Sequence, residues 1–179
     1  MNFQFYLEKL FDSEHFQKFI KENKDAYPVS GFFVIDKEGK DNQQHLDYYV
    51  PSTNKLFSFQ LEKECELMPM DKLEDNFKSG KLAANYNFDF NDVESLIQKE
   101  MAIKGVTNKI QKLLFSLQHK DSKDYLIGTV FISGFGIIKI NIDITDMKVI
   151  LFEKKSFFDM LRVTKTSKST QSLARKEEK

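Results

Sequence analysis

The sequence predicts an α+β protein made of two units, each a helix followed by antiparallel strands, with a disordered tail. Three observations predict it. Residues 3–23 and 93–103 carry apolar side chains at helical spacing. Several short runs between turn residues alternate apolar and polar, the period of a half-buried strand. Residues 163–179 are rich in Lys, Ser and Thr, with only Val163, Leu173 and Ala174 as apolar anchors. The predicted organisation is a helix with a three-stranded unit over 1–64, a connector over 65–90, a helix with a four-stranded unit and a short terminal helix over 91–162, and a basic tail over 163–179. Whether the units share one sheet is open at this level.

In residues 3–23 the stripe consists of Phe5, Leu7, Leu10, Phe11, Phe16, Phe19 and Ile20. Ser13, three residues before Phe16, also suits the cap of a second helix after a break at Asp12. Pro28 lies beyond the end and cannot continue a helix. Gly31–Ile35, His45–Val50 and Lys55–Leu61 read as strands, with turns at Asp36–Lys40 and Pro51–Asn54. Residues 62–90 are polar and irregular, with one short amphipathic turn expected around Leu73–Phe77. Asn91–Asp92 marks the next helix start, and Val93, Leu96, Ile97, Met101 and Ile103 its apolar side, with Gly105 after its end. Strands are expected over Ile110–Gln118, Tyr125–Ile132, Ile138–Ile144 and Lys148–Phe152. The third places Ile at every second position, with Lys139, Asn141 and Asp143 on the other side, a sheet with one buried and one wet face. Ser156 then suits the cap of a short helix to Arg162, with Phe157, Phe158 and Leu161 as its apolar side.

Composition bounds the function. Hydrophobic residues make up 41% and charged residues 30%, a globular balance. Eighteen Phe and no Trp supply a large apolar area that needs no hydrogen-bond partner. Lys plus Arg equals Asp plus Glu at 27 each, so net charge argues for neither nucleic acid nor membrane. The single Cys65 can form no internal disulfide, and the N-terminus shows no basic stretch ahead of an apolar one, so a cytoplasmic location is expected. The longest uncharged run, Tyr125–Ile138, is short of the roughly 20 residues of a membrane helix.

The two halves also match locally. An offset of 93 lays Tyr49–Phe59 over Ile142–Phe152, both strand, polar turn, Lys, aliphatic, strand. The second half, through Asp143-Ile-Thr-Asp-Met-Lys-Val149, resembles the PepSY and cystatin-like family of small domains. Asp146 and Met147 stand where that hairpin usually has its turn Gly. The resemblance implies a helix packed across an antiparallel sheet. Through Tyr6–Leu10, Gly31–Asp36, His45–Pro51 and Lys155–Asp159 the whole chain also resembles small archaeal proteins of unassigned activity. That likeness implies fold rather than function.

No residue set composes an active site, and no enzyme activity, cofactor or metal site is expected. His15, His45 and His119 are in no ligand spacing with one another or with Cys65. Glu64 and Glu66 flank Cys65 and should raise its thiol pKa, the opposite of activation. Asp36–Asp41 lacks the alternating acids and closing Glu of a calcium loop. Gly134-Phe-Gly136 lacks the following Gly-Lys-Ser/Thr of a phosphate loop. Asp47 and Asp143 are expected on solvated strand faces. Two features point to partners. Phe32, Phe33, Tyr48 and Tyr49 are adjacent strand aromatics, so one of each pair faces away from a one-sided core and is a candidate interaction surface. Arg162, Lys165, Lys168, Arg175 and Lys176 form a basic tail suited to nucleic acid. The expected function is a non-catalytic protein-interaction or regulatory module, binding a partner or pairing through a sheet edge. Its rivals are an RNA- or ribosome-associated protein and an apolar small-ligand binder.

Overall fold

The computed structural model describes residues 2–39, 41–62, 64–72, 80–83, 86 and 88–156, with backbone alone for 69–72. The tail residues Arg162, Lys165, Lys168, Arg175 and Lys176, the terminal helix expected up to 162 and the turn around Leu73–Phe77 lie outside the described residues.

The chain begins with two short helices, α1 (Phe3–Asp12) and α2 (Glu14–Glu22). Ser13 separates them by serving both: its hydroxyl donates to the Leu10 carbonyl at 2.8 Å and accepts the Phe16 N–H at 3.2 Å. Asn2 caps α1 by accepting the Gln4 N–H. The buried stripe is Phe3, Leu7, Leu10, Phe16 and Phe19, whereas Phe5 and Phe11 of the expected stripe are exposed. A helix turned by the break at Ser13 presents different positions inward than one continuous helix would.

Four strands follow: β1 (Tyr27–Asp36), β2 (Gln43–Val50), β3 (Lys55–Gln60) and β4 (Glu66–Lys72). Strand β4 lies within the stretch expected as a connector. Its Pro69 hides it from pattern reading, and it is tolerated because β4 is an edge strand with a register shift against β3. Helix α3 (Phe90–Ile103) is capped two residues before Asn91, by Asp89, whose carboxylate accepts the Asn91 N–H at 2.7 Å. A second meander follows: β5 (Ile110–Lys120), β6 (Lys123–Ile132), β7 (Gly136–Asp143) and β8 (Lys148–Ser156).

All eight strands form one antiparallel sheet, in the order β4-β3-β2-β1-β5-β6-β7-β8. The halves join where β1 pairs with β5, placing Phe33 opposite Phe115 and Gly31 opposite Leu117. Each half is helical, then a four-strand meander running outward from this junction. The hairpins matched at offset 93 do not occupy equivalent places: β2–β3 is second and third from the junction, β7–β8 third and fourth. Turn chemistry, rather than position in the fold, accounts for that likeness. At its turn Met147 takes φ 47°, the left-handed position where Gly is the usual residue.

One core holds both halves. Phe3 meets Phe33 edge-on at 5.2 Å and stacks on Phe88 at the same distance, and Phe90 lies 4.9 Å from Phe33. Outward from this seam, Phe16 and Phe19 pack on Tyr48 and Phe59 under β2 and β3. On the other side Val93, Ile97 and Met101 of α3 join Val130, Ile138, Ile140 and Ile142. All three described helices therefore lie on one face of the sheet.

Candidate functional site

The strand register fixes what the opposite face presents. Reading across neighbouring partners, His45, Phe32, Ser116, Ile127, Asn141 and Leu151 form one row. The next row runs Ser58, Asp47, Ser30, Gln118, Tyr125 and Asp143. None of the apolar members of this face, including Val34, Leu56 and Ile137, belongs to the helix-covered core cluster. Among the described residues no helix lies over it.

The four candidate aromatics divide accordingly. Phe33 and Tyr48 are not surface residues: they are 0% and 3% exposed, and burial pushes the Tyr48 phenol pKa up. Phe32 is 38% exposed at the centre of the open face. Tyr49 is half-buried, its ring edge-on to Tyr27 at 5.7 Å and its hydroxyl donating to Asn54. Alternation along β1 and β2 sends one of each adjacent pair under the helices.

Several charged groups on the open face are hydrogen-bonded or ion-paired in place. Asp47 accepts the Ser30 hydroxyl at 2.7 Å. Asp143, expected in solvent, is 3% exposed and bonded to Lys123 at 2.7 Å. It also accepts the Thr145 and Asp146 N–H groups, and Lys123 first and these amides after it hold its carboxyl below the usual range. Lys112 lies 3.6 Å from both Asp36 and Asp41. Lys139 stands opposite Glu153. The central side chains left are neutral: Ser116, Gln118, Thr129 and Asn141 among Phe32, Leu114, Ile127 and Tyr125.

A second polar cluster lies on the helix face, at the β5–β6 hairpin, and sequence spacing did not reveal it. Asp121 and Ser122 take φ 49° and 64°, a two-residue turn of the kind hairpin twist favours. That turn sets His119 directly opposite Asp124. His119 Nδ1 donates to Asp124 Oδ1 at 2.6 Å, and the Tyr86 hydroxyl donates to Asp124 Oδ2. The Ala83 N–H donates to the Tyr86 hydroxyl oxygen at 2.9 Å. Burial, then Asp124, raises the Tyr86 phenol pKa, so it remains a donor. Gly80 packs flat on the imidazole, where a Cβ would collide with the ring. A carboxylate-oriented histidine suits a base, but catalysis by a triad needs a nucleophile beside it, and among the described residues no Ser, Thr or Cys is hydrogen-bonded to His119. The cluster pins residues 80–83 and Tyr86 to the sheet, with Leu82 N–H donating to the Pro28 carbonyl alongside.

The remaining candidates stay apart. His15 reaches the Glu64 carbonyl at 3.3 Å, and His45 Nδ1 lies 3.4 Å from the Ser58 hydroxyl. Glu62 Oε1 accepts the Gln44 N–H and lies 4.0 Å from His45 Nε2, while its buried Oε2 has no hydrogen-bond partner among the described residues. Cys65 is fully buried at φ 53°. Its thiol pKa is raised as expected, but by burial first, with Glu62 the lesser cause and Lys9 opposing. Among the described residues no group of three or more His, Cys, Asp or Glu side chains is placed to hold a metal ion, and no helix is long and apolar enough to cross a membrane.

No family model matches the chain, and no curated protein matches it. A solved structure that is similar is the crystal structure of a "putative lipoprotein" from Clostridium difficile 630, which is 15% identical, covers 79% of this chain and 91% of its own, and superposes with a TM-score of 0.53. At that identity the likeness is one of fold, an arrangement on which unrelated functions are built.

Proposed function

We propose that the chain is a non-catalytic protein-interaction module that presents the helix-free face of its sheet to a folded protein partner. One observation carries the reading: an eight-stranded sheet packs every described helix on one side and gives the other a neutral, aromatic-bearing centre. Solvated sheet faces are common in antiparallel proteins, so openness alone does not argue for docking. Composition does. Interface centres are depleted in charge and enriched in aromatics, and rigid aromatics among small polar groups are what adaptable binding surfaces use. Phe32 lies in this setting, with Lys112–Asp36 and Lys123–Asp143 ion-paired toward the strand ends and Asp47 hydrogen-bonded to Ser30. Size also fits. Eight strands about 4.8 Å apart make a face nearly 40 Å wide, and some 20 Å of strand gives on the order of 800 Å², the share of one partner in a standard interface.

The test uses the full chain as bait in native lysate, beside two variants. Phe32→Asp alters the open face, and Phe5→Ser alters an exposed aromatic on α1. A partner lost with the first and kept with the second, whose binding protects amides of β1, β5 and β6 from hydrogen exchange, supports the reading. Protection confined to the helices rejects it. Capture that disappears with ribonuclease and falls steeply with salt transfers the function to nucleic acid through the basic tail.

A further inference from the structure

The end of the sheet nearest the β6–β7 turn carries an apolar groove of about 400 Å³, lined by Gln111, Phe131, Ile132, Phe135 and Ile137 with Gly134 and Gly136. Phe131 and Ile137 are opposite one another on β6 and β7 and face away from the helices. Gly134 and Phe135 both take left-handed backbone, at φ 76° and 58°, which turns the Phe135 ring outward to 71% exposure.

Strand β8 ends beside this groove. Its last residue, Ser156, pairs with Gly136, one of the groove's own residues. The sequence then continues Phe157-Phe158-Asp159-Met160-Leu161-Arg162-Val163. No other stretch after Ser156 is as apolar: the remainder to Lys179 is mostly Lys, Ser, Thr and Glu. Phe157, Phe158 and Leu161 fall on one side at helical spacing, a stripe that needs a surface to cover it. Paired strands are about 4.8 Å apart, so the chain leaves Ser156 within about one residue's reach of the groove. The groove extends from β7 to β5, roughly 10 Å, a span seven residues cover even as helix at 1.5 Å per residue.

We propose that residues 157–163 dock in this groove, the chain's own terminal segment closing the end of its sheet. An apolar stripe that needs a cover is thereby placed by the chain path against a groove whose rim ring, Phe135, is 71% exposed. The proposal goes beyond the interaction reading, since its occupant is intramolecular and the row centred on Phe32 stays open.

The experiment places a nitroxide on the full chain at Asp159→Cys, a polar position off the apolar stripe. The native thiol of Cys65 is fully buried and escapes labelling. Methyl resonances of Ile132 and Ile137 should lose most of their intensity, while those of Ile20 on α2 keep theirs. Adding Phe157→Ser and Phe158→Ser should restore the lost signals, as should Phe135→Ser on the exposed turn. Unbroadened Ile132 and Ile137 signals overturn the proposal, as does broadening that these substitutions leave unchanged. A mixture of labelled, isotopically silent chains with unlabelled, isotopically enriched ones supplies the remaining arm. Broadening that passes between chains assigns the groove to a second copy and overturns the intramolecular assignment.

Discussion

Phe32 and Phe33 are consecutive residues of one strand, and they live on different sides of the molecule. Phe33 is 0% exposed, ringed by Phe3, Phe90 and the facing Phe115. Phe32 is 38% exposed between His45 and Ser116. The backbone, twist and hydrogen-bond ladder are common to both, so the difference is the helical layer alone. Under the helices the strands carry Leu, Ile, Val and Phe almost without interruption. Across the sheet the same strands alternate apolar with neutral polar side chains, and Val34 and Ile137 on that side are 6% and 7% exposed. The core cluster lies on one face, so the exposed centre of the other can vary its chemistry at a lower cost in stability.

Substitution on the covered face should therefore have the largest effect. Phe115→Ala removes a ring from the seam joining the halves and should cost about 3–5 kcal/mol, the range for deleting a buried aromatic. Because β1 and β5 are the junction, denaturant unfolding should stay a single transition for the wild-type chain and broaden or split in this variant. A smaller loss is expected where the covered face is polar. Asp124→Ala leaves the half-buried Tyr86 hydroxyl and the His119 ring without their acceptor, at about 1–3 kcal/mol. Hydrogen exchange should show that loss first at Leu82 and Ala83, whose N–H groups bond to Pro28 and to Tyr86. Uniform acceleration across the whole sheet would instead place Asp124 in the global core.

The distinction between the faces was partly legible in sequence. Ile138, Ile140 and Ile142 alternate with Lys139 and Asn141, and period two assigned their sides correctly. Asp143 continues the polar parity, yet the parity does not show that Lys123 and two backbone amides enclose it. The pairing of β1 with β5 was not legible, because nothing local to Gly31–Ile35 or Leu113–Leu117 encodes which strand each will meet. The His119–Asp124–Tyr86 cluster was missed for a related reason. Ending one strand at Gln118 and starting the next at Tyr125 leaves His119 and Asp124 in a loop. A two-residue turn at Asp121–Ser122 makes them partners, and Asp at a left-handed turn position is the signal that marks it. Ser13 was legible as a cap, but only the structure chose between one helix and two.

The open face should respond to pH more than to truncation. The Asp143 pKa is held low, chiefly by Lys123, so the pair stabilises the fold above the unfolded carboxyl value near 3.9 and that contribution is lost as pH falls through the lower folded value. The Lys123 pKa is raised by the same contact, so its contribution is present below the unfolded value near 10.4 and is lost as pH rises through the higher folded value. Urea midpoints measured from pH 2 to 7 should fall at the acid end for the wild type, and Asp143→Asn should flatten the carboxyl's share of that fall. An identical acid slope in both proteins would remove Asp143 from the account.

The smallest change in stability belongs to Phe32. Phe32→Thr keeps a good strand former at a partly exposed site, so the expected cost is under about 1 kcal/mol, well below that of Phe115→Ala. If the open face is where a partner docks, this near-neutral substitution should remove binding while the folded population is unchanged, a separation that Phe115→Ala cannot give. Thermal unfolding and partner titration on the same sample read the two effects independently. A loss for Phe32→Thr as large as that for Phe115→Ala would mean that the two faces are one cooperative core, and the division drawn between them would fail.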